Sequence, residues 1–194
     1  MNPVFVGTAG WSYPQGSGTW DNVFYPRGLA DREKLSFYAR YLDAVEVNST
    51  FYRPVGAETA RRWVERTPPV FRFSVKLFQK FTHAVMYAES IGKPESLTDA
   101  DVLRFKQGIA PIVDAEKLGA LLAQFPPSFQ CNPSNLEQLE QVIRDFRELP
   151  MTVELRHRSW TESPETEKLL LEYGVAWTDR KSTRLNSSHV ALSR

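Results

Sequence analysis

Two periods of apolar and polar residues alternate along this chain. Val70-Phe71-Arg72-Phe73-Ser74-Val75-Lys76 alternates residue by residue, putting Phe71, Phe73 and Val75 on one side of a strand and Arg72, Ser74 and Lys76 on the other. Ala44 to Tyr52 reads as a strand of the same kind, with Val45 and Val47 on one parity and Glu46, Asn48 and Thr50 on the other, running into the aromatic pair Phe51-Tyr52. Val4 to Ala9, Leu118 to Phe125, Met151 to Arg156 and Gly174 to Thr178 predict further strands. Between them the period lengthens to that of a helix. A helix with Asp31 as its N-cap carries Leu35, Tyr38, Ala39 and Leu42 as an apolar stripe, and Glu58 to Arg66 turns Ala60, Trp63 and Val64 inward and Arg61, Arg62 and Arg66 outward. Thr98 caps a helix reaching Asp114, in which Pro111 predicts a kink or an early end, and Ser134 to Phe146 and Pro164 to Glu172 complete the helical set. Ser12 to Arg27 reads as a long loop held down by its own rings, and the stretch from His83 to Lys93 as a long connection.

Strand and helix alternate about six times without a run of hairpin turns, which calls for parallel strands joined by helical crossovers and so for an α/β fold. An open doubly wound sheet and a closed (β/α)₈ barrel both satisfy that pattern. Polar parity separates them. Glu46 and Asn48, Ser74 and Lys76, Gln124, and Glu154 and Arg156 take the last positions of their strands on the parity opposite the helix-packing residues. A flat parallel sheet covers both faces with helices, whereas a barrel turns one face to a shared interior and builds its sites where the strands end. The expected fold is therefore a TIM-type (β/α) barrel.

Composition narrows the function classes. The 194 residues, 42% hydrophobic and 12% aromatic, suffice for one domain with a real core. Lys+Arg 24 against Asp+Glu 23 gives a formal charge of +1, so no strong overall field favours nucleic acid or an anionic membrane. Cys131 is the single cysteine, which excludes an internal disulfide and a cysteine zinc cluster. The start of the chain has no basic segment ahead of a long apolar one, and no apolar run reaches the roughly 18 to 20 residues that span a bilayer. A soluble, cytoplasmic protein without membrane partners is the expectation.

From Asp179 to Arg194 the character changes. Asp179-Arg180-Lys181-Ser182-Thr183-Arg184-Leu185-Asn186-Ser187-Ser188-His189 has neither helical nor strand periodicity and follows a strand that has only just begun. The string resembles one reading frame of a sequencing-library adapter translated as coding sequence. On that reading residues 1–178 are a partial barrel domain, incomplete at its C-terminus, and residues 179–194 are an artefactual, disordered tail.

Several spaced blocks carry a resemblance. Gly7-Thr8-Ala9-Gly10-Trp11-Ser12-Tyr13, Phe24-Tyr25-Pro26, Val45-Glu46-Val47-Asn48-Ser49-Thr50-Phe51-Tyr52, Phe73-Ser74-Val75-Lys76, Thr82-His83, Gln124-Phe125-Pro126-Pro127 and Glu154-Leu155-Arg156-His157-Arg158-Ser159-Trp160 are similar to the blocks of the YecE-like family, also called domain of unknown function 72. They run in the family's order from Val4 to Trp177. The resemblance implies a TIM-type barrel and no established activity, and the family's later blocks are absent here.

Glu46 and Glu154 are the two carboxylates this parity turns into the mouth of a barrel, and such a pair can divide acid and base work. The competing reading is structural: each neutralises Lys76 or Arg156 in a buried network. Lys76 is a candidate catalytic group, expected to stay protonated beside carboxylates and so to clamp an anion rather than attack as a nucleophile. Asn48, Gln124 and Arg156 are candidate substrate-binding groups. Trp11, Tyr13, Tyr52 and Trp160 follow strand ends, where rings either stack on a ligand or close the top of a barrel, and Trp11 and Tyr52 are the candidate ligand contacts among them. His83 and His157 are candidate ligand contacts; with no HxH or HExxH spacing in the chain, no metal site is assigned, and the cofactor stays open. Two functions follow as expectations. The first is an enzyme of hydrolase or lyase type acting on a small polar or phosphorylated substrate. The alternative is a barrel that binds or processes nucleic acid, a partner the net charge does not favour.

Overall fold

The computed structural model describes residues 3–13 and 19–178. The tail from Asp179, and residues 14–18 of the Ser12 to Arg27 loop, lie outside the described residues. In chain order the elements are β1 (Gly7–Ala9), α1 (Asp31–Tyr38), β2 (Ala44–Val47), α2 (Ser49–Tyr52), α3 (Ala57–Glu65), β3 (Arg72–Lys76), α4 (Gln79–Thr82), α5 (Ala84–Ile91), α6 (Asp99–Asp114), β4 (Leu118–Gln124), α7 (Pro133–Asp145), β5 (Met151–Glu154), a 3-10 turn (Arg158–Trp160), α8 (Pro164–Tyr173) and β6 (Ala176–Thr178). The chain divides into two compact units, residues Met1–Lys76 with Asp99–Gly119, and residues Leu77–Thr98 with Ala120–Arg194.

In the first unit β1, β2 and β3 pair in parallel, with Ala9 opposite Glu46 and Glu46 opposite Ser74. The alternation of β3 is as expected: Phe71, Phe73 and Val75 are buried, whereas Arg72, Ser74 and Lys76 are half-buried. α3 packs on α6, and Ala60, Phe105, Ile109 and Ile112 are almost fully buried. The rings of Trp20, Phe24, Tyr25, Phe37 and Tyr38 cluster with one another, mostly edge to face, so the described part of the long loop is indeed held by its aromatics. Tyr38 ties that cluster to the sheet: its hydroxyl accepts the Thr8 N–H and donates to the Ala44 carbonyl, each at 2.9 Å.

In the second unit β4, β5 and β6 pair in parallel, with Gln124 opposite Glu154 and Glu154 opposite Thr178. α7 starts as capping chemistry requires, the Asn132 side chain accepting the Asn135 N–H with Pro133 in the first turn. α8 stops at Gly174, whose φ of 63° lies in the left-handed region that a side chain disfavours. Leu139, Val142, Ile143 and Phe146 are buried, and Phe146 meets Phe81 edge to face at 5.2 Å.

Five local expectations need correction. Asp31 is not the N-cap of α1; Ala30 holds that place, and Asp31 is the first helical residue, its carboxylate 2.8 Å from Lys34 Nζ. The strand expected over Ala44 to Tyr52 ends at Val47, because Asn48 takes a helical backbone and Thr50 Oγ1 turns back to the Val47 carbonyl at 2.8 Å. The stretch from His83 to Lys93 is largely helical, as α5, with α4 just ahead of it. α5 buries none of its residues, so it leaves no apolar stripe to read. α6 runs through Pro111 to Asp114, so the proline does not end the helix early. Finally, only Gly7–Ala9 of the first apolar run is strand, and Val4 and Val6 are exposed.

Candidate functional site

The residues singled out from sequence divide between the units. Trp11, Glu46, Asn48, Tyr52 and Lys76 belong to the first, and His83, Gln124, Glu154, Arg156 and His157 to the second.

In the first unit Glu46 sits third in β2, half-buried, between the buried Val45 and Val47. Among the described residues its carboxylate accepts no hydrogen bond from a protein group. Its charge is felt at Tyr13, whose phenol is raised above its ordinary range by burial first and by Glu46 second. Asn48 is half-buried where β2 turns into α2. Lys76 ends β3 with its Nζ 4.5 Å above the Phe51 ring, a cation–π contact in which the ring replaces part of the lost hydration. Its backbone carbonyl accepts from Thr50 Oγ1 at 2.6 Å, while the same hydroxyl reaches the Val47 carbonyl at 2.8 Å. Trp11 is half-buried and meets Trp63 edge-on at 5.5 Å, and its carbonyl takes the Tyr25 hydroxyl. Tyr52 is 71% exposed.

In the second unit three of the expected residues converge. Glu154 ends β5 and is buried. The parallel register sets Gln124, the last residue of β4, directly beside it, and Gln124 Nε2 donates to Glu154 Oε2 at 2.6 Å. Arg156, two residues on, donates its Nε to Glu154 Oε1 at 2.7 Å. Both carboxylate oxygens are thus occupied, which holds Glu154 as an acceptor and fixes the plane of the guanidinium. Among the described residues the terminal nitrogens of Arg156 donate to no protein group, so the fork is aimed but uncommitted. His157 caps the 3-10 turn: Ser159 N–H (3.2 Å) and Ser159 Oγ (2.9 Å) both approach its Nδ1, and Ser159 Oγ itself accepts the Cys131 N–H at 2.8 Å. Nδ1 is therefore an acceptor, which leaves the proton of the neutral ring on Nε2. His83 lies between α4 and α5 with Nδ1 2.9 Å from Thr82 Oγ1.

Sequence reading missed three buried lysines. Lys117 Nζ donates to the Val64 and Thr67 carbonyls, each at 2.7 Å, and to Thr67 Oγ1 at 3.1 Å; burial, and then the neighbouring Arg72, lower its pKa. Lys80 Nζ lies 2.6 Å from Glu95 and 5.5 Å above the Tyr87 ring. Lys34 pairs with Asp21 and Asp31, and those hydrogen bonds raise its pKa. The one signal for Lys80 is its place inside the apolar string Leu77-Phe78-Gln79-Lys80-Phe81, where a solvated lysine is out of pattern. Trp160, read as a ring just after a strand end, is fully buried, stacks on Phe129 at 5.1 Å and donates its Nε1 to the Phe129 carbonyl, so its face is not open to a ligand. Among the described residues no three His, Cys, Asp or Glu side chains are grouped so as to hold a metal ion. None of the described helices is long and apolar enough to cross a membrane.

Comparison with known proteins agrees with this architecture. The chain is 31% identical over 167 residues to UPF0759 protein YunF of Bacillus subtilis (strain 168), covering 86% of this chain and 55% of that protein. It is 26% identical over 170 residues to UPF0759 protein YecE of Escherichia coli (strain K12), covering 86% and 53%. It thus spans about half the length of these curated relatives. Among solved structures, a DUF72 family protein from Thermotoga maritima MSB8 superposes with a TM-score of 0.71 at 31% identity, over 89% of this chain and 63% of that one. A DUF72 family protein from Enterococcus faecalis V583 gives 0.71 at 23% identity, over 89% and 59%. The fold class is the α/β, TIM-barrel type, with parallel strands joined by helical crossovers and the barrel not closed by the six strands of the described residues. The family described as "Protein of unknown function DUF72" matches residues 5–190, and this YecE-like chain belongs to it.

Proposed function

We propose that this chain is part of an enzyme of hydrolase or lyase type that acts on a small polar or phosphorylated substrate at the C-terminal ends of its parallel strands. The observation that carries the proposal is the committed state of Glu154. A carboxylate with both oxygens taken by Gln124 and Arg156 is a good orienting group, and it leaves the terminal nitrogens of Arg156 set for an anionic or strongly polar substrate group. Within the first unit, Glu46, whose carboxylate accepts no protein hydrogen bond among the described residues, is the candidate acid or base, with Asn48 and Lys76 as candidate contacts.

The test is a panel of phosphorylated and polar small molecules assayed for turnover with the wild-type protein and its Glu46→Gln and Arg156→Gln variants. Glu46→Gln should abolish turnover while leaving ligand affinity intact, and Arg156→Gln should weaken affinity. Turnover unaffected by Glu46→Gln would sink the assignment. Absence of any turnover, together with oligonucleotide binding that falls steeply with salt, would replace the enzyme reading with a nucleic-acid one.

A further inference from the structure

A cavity of about 880 Å³ lies wholly within the first unit, between the α2–α3 connection and α6. None of the strand-end candidates lines it. Its shape follows from backbone rather than from mobile side chains. Arg53 leaves α2 in an extended conformation, and α6 presents Gly108 to the Val55 carbonyl so closely that a Cβ there would lie 2.1 Å from the oxygen. α6 and the connection therefore meet backbone to backbone beside the cavity. Trp63 forms part of the lining and is itself fixed, edge-on to Trp11 at 5.5 Å and 6.4 Å from the Phe73 ring.

The charges around this cavity are one-sided. Arg53 and Arg104 reach it from different elements, and no Asp or Glu lines it. Other exposed arginines do find carboxylates, Arg61 and Arg62 with Glu58, Arg144 with Glu140 and Arg158 with Glu162, whereas Arg32 on α1 pairs with none among the described residues. Among the described residues the guanidiniums of Arg53 and Arg104 make neither an ion pair nor a hydrogen bond with the protein. Two unmatched cations beside one concavity repel each other, and an anion between them removes that repulsion.

We propose that this cavity binds a phosphorylated small molecule, with Arg53 and Arg104 as the clamp on its phosphate. Two planar forks can each take a pair of oxygens from one phosphate, and its double charge matches theirs; a carboxylate has oxygens and charge for one fork only. The cavity is far larger than a phosphate ion, and the Gln107 amide and the Trp63 ring supply contacts for an organic body attached to it. This site is independent of the strand-end reading above.

The test is titration of the whole chain with phenyl phosphate at constant ionic strength, with benzoate as the carboxylate control. Phenyl phosphate should bind at least about tenfold more tightly than benzoate. Arg53→Gln and Arg104→Gln should each weaken binding about tenfold, and the double variant about a hundredfold. Both side chains are exposed, so the variants should keep the wild-type circular dichroism and Tm, with Arg104→Glu as a second probe expected to abolish binding. The proposal is overturned if wild type does not bind phenyl phosphate, if benzoate binds as well, or if the double variant binds like wild type. Binding lost in Arg156→Gln but kept in the double variant would also overturn it, assigning the phosphate to Arg156 instead.

Discussion

Glu46 and Glu154 sit on strands of the same kind, in two different units, and their surroundings have made them different groups. Glu154 is buried and spends both oxygens on neighbours, one from the adjacent strand and one from two residues along its own chain. Glu46 is half-buried, takes no hydrogen bond from a protein group among the described residues, and acts electrostatically on the Tyr13 phenol. On the function proposed above, the first serves as scaffold and the second as reagent. A carboxylate in a strand is thus not informative by itself; Ser74 stands in register with Glu46 without bonding to it, so what separates the two is whether the neighbouring donor is spent on the carboxylate, as Gln124 is on Glu154.

The largest effect that would break this contrast is catalytic. Glu46→Gln should lower turnover about a thousandfold while leaving the urea midpoint essentially unchanged, whereas a scaffold role for Glu46 would show the reverse. The next is a stability effect on the other carboxylate. Glu154→Ala should cost about 2 kcal/mol by urea unfolding, because it strands the Arg156 guanidinium and the Gln124 amide together; a loss under about 0.5 kcal/mol would mean that Glu154 is as uncommitted as Glu46.

A smaller effect concerns Lys117, which is as fully engaged as Glu154 but opposite in charge. Its pKa in the fold lies below the unfolded value, so between the two the unfolded chain binds the extra proton. Stability contributed through Lys117 should therefore rise with pH through that window, and Lys117→Met should flatten the slope of unfolding free energy measured from about pH 8 to about pH 10. An unchanged slope would place the titration elsewhere. The smallest effect is spectroscopic: Glu46→Gln should bring the Tyr13 phenol part of the way back toward its ordinary range, read as an earlier tyrosinate absorbance on raising the pH. No movement would remove Glu46 from the neighbourhood of Tyr13.

Much of the fold was legible because burial in a strand leaves a period-two trace. Phe71, Phe73 and Val75 announced β3, and the stripe of Leu139, Val142, Ile143 and Phe146 announced α7. α5 was not legible, since a helix that buries nothing imposes no spacing on its residues. Parity also drew Gln124, Glu154 and Arg156 together on one side of their strands. It could not reveal that one carboxylate would be saturated and the other not, because that depends on register between residues thirty apart. Lys117 was invisible for a related reason: its acceptors are the carbonyls of Val64 and Thr67, and a carbonyl looks the same in every sequence.

Thr50 carries the last consequence. Its hydroxyl owns one hydrogen, yet the Val47 and Lys76 carbonyls both lie within bonding reach of it. One hydroxyl within reach of both carbonyls ties the end of β2 to the end of β3 through a single side chain. Val47 stands between Glu46 and Asn48, so that tie sets the backbone of Glu46, Asn48 and Lys76 in one frame, and replacing Thr50 with valine would remove it at almost no change in volume.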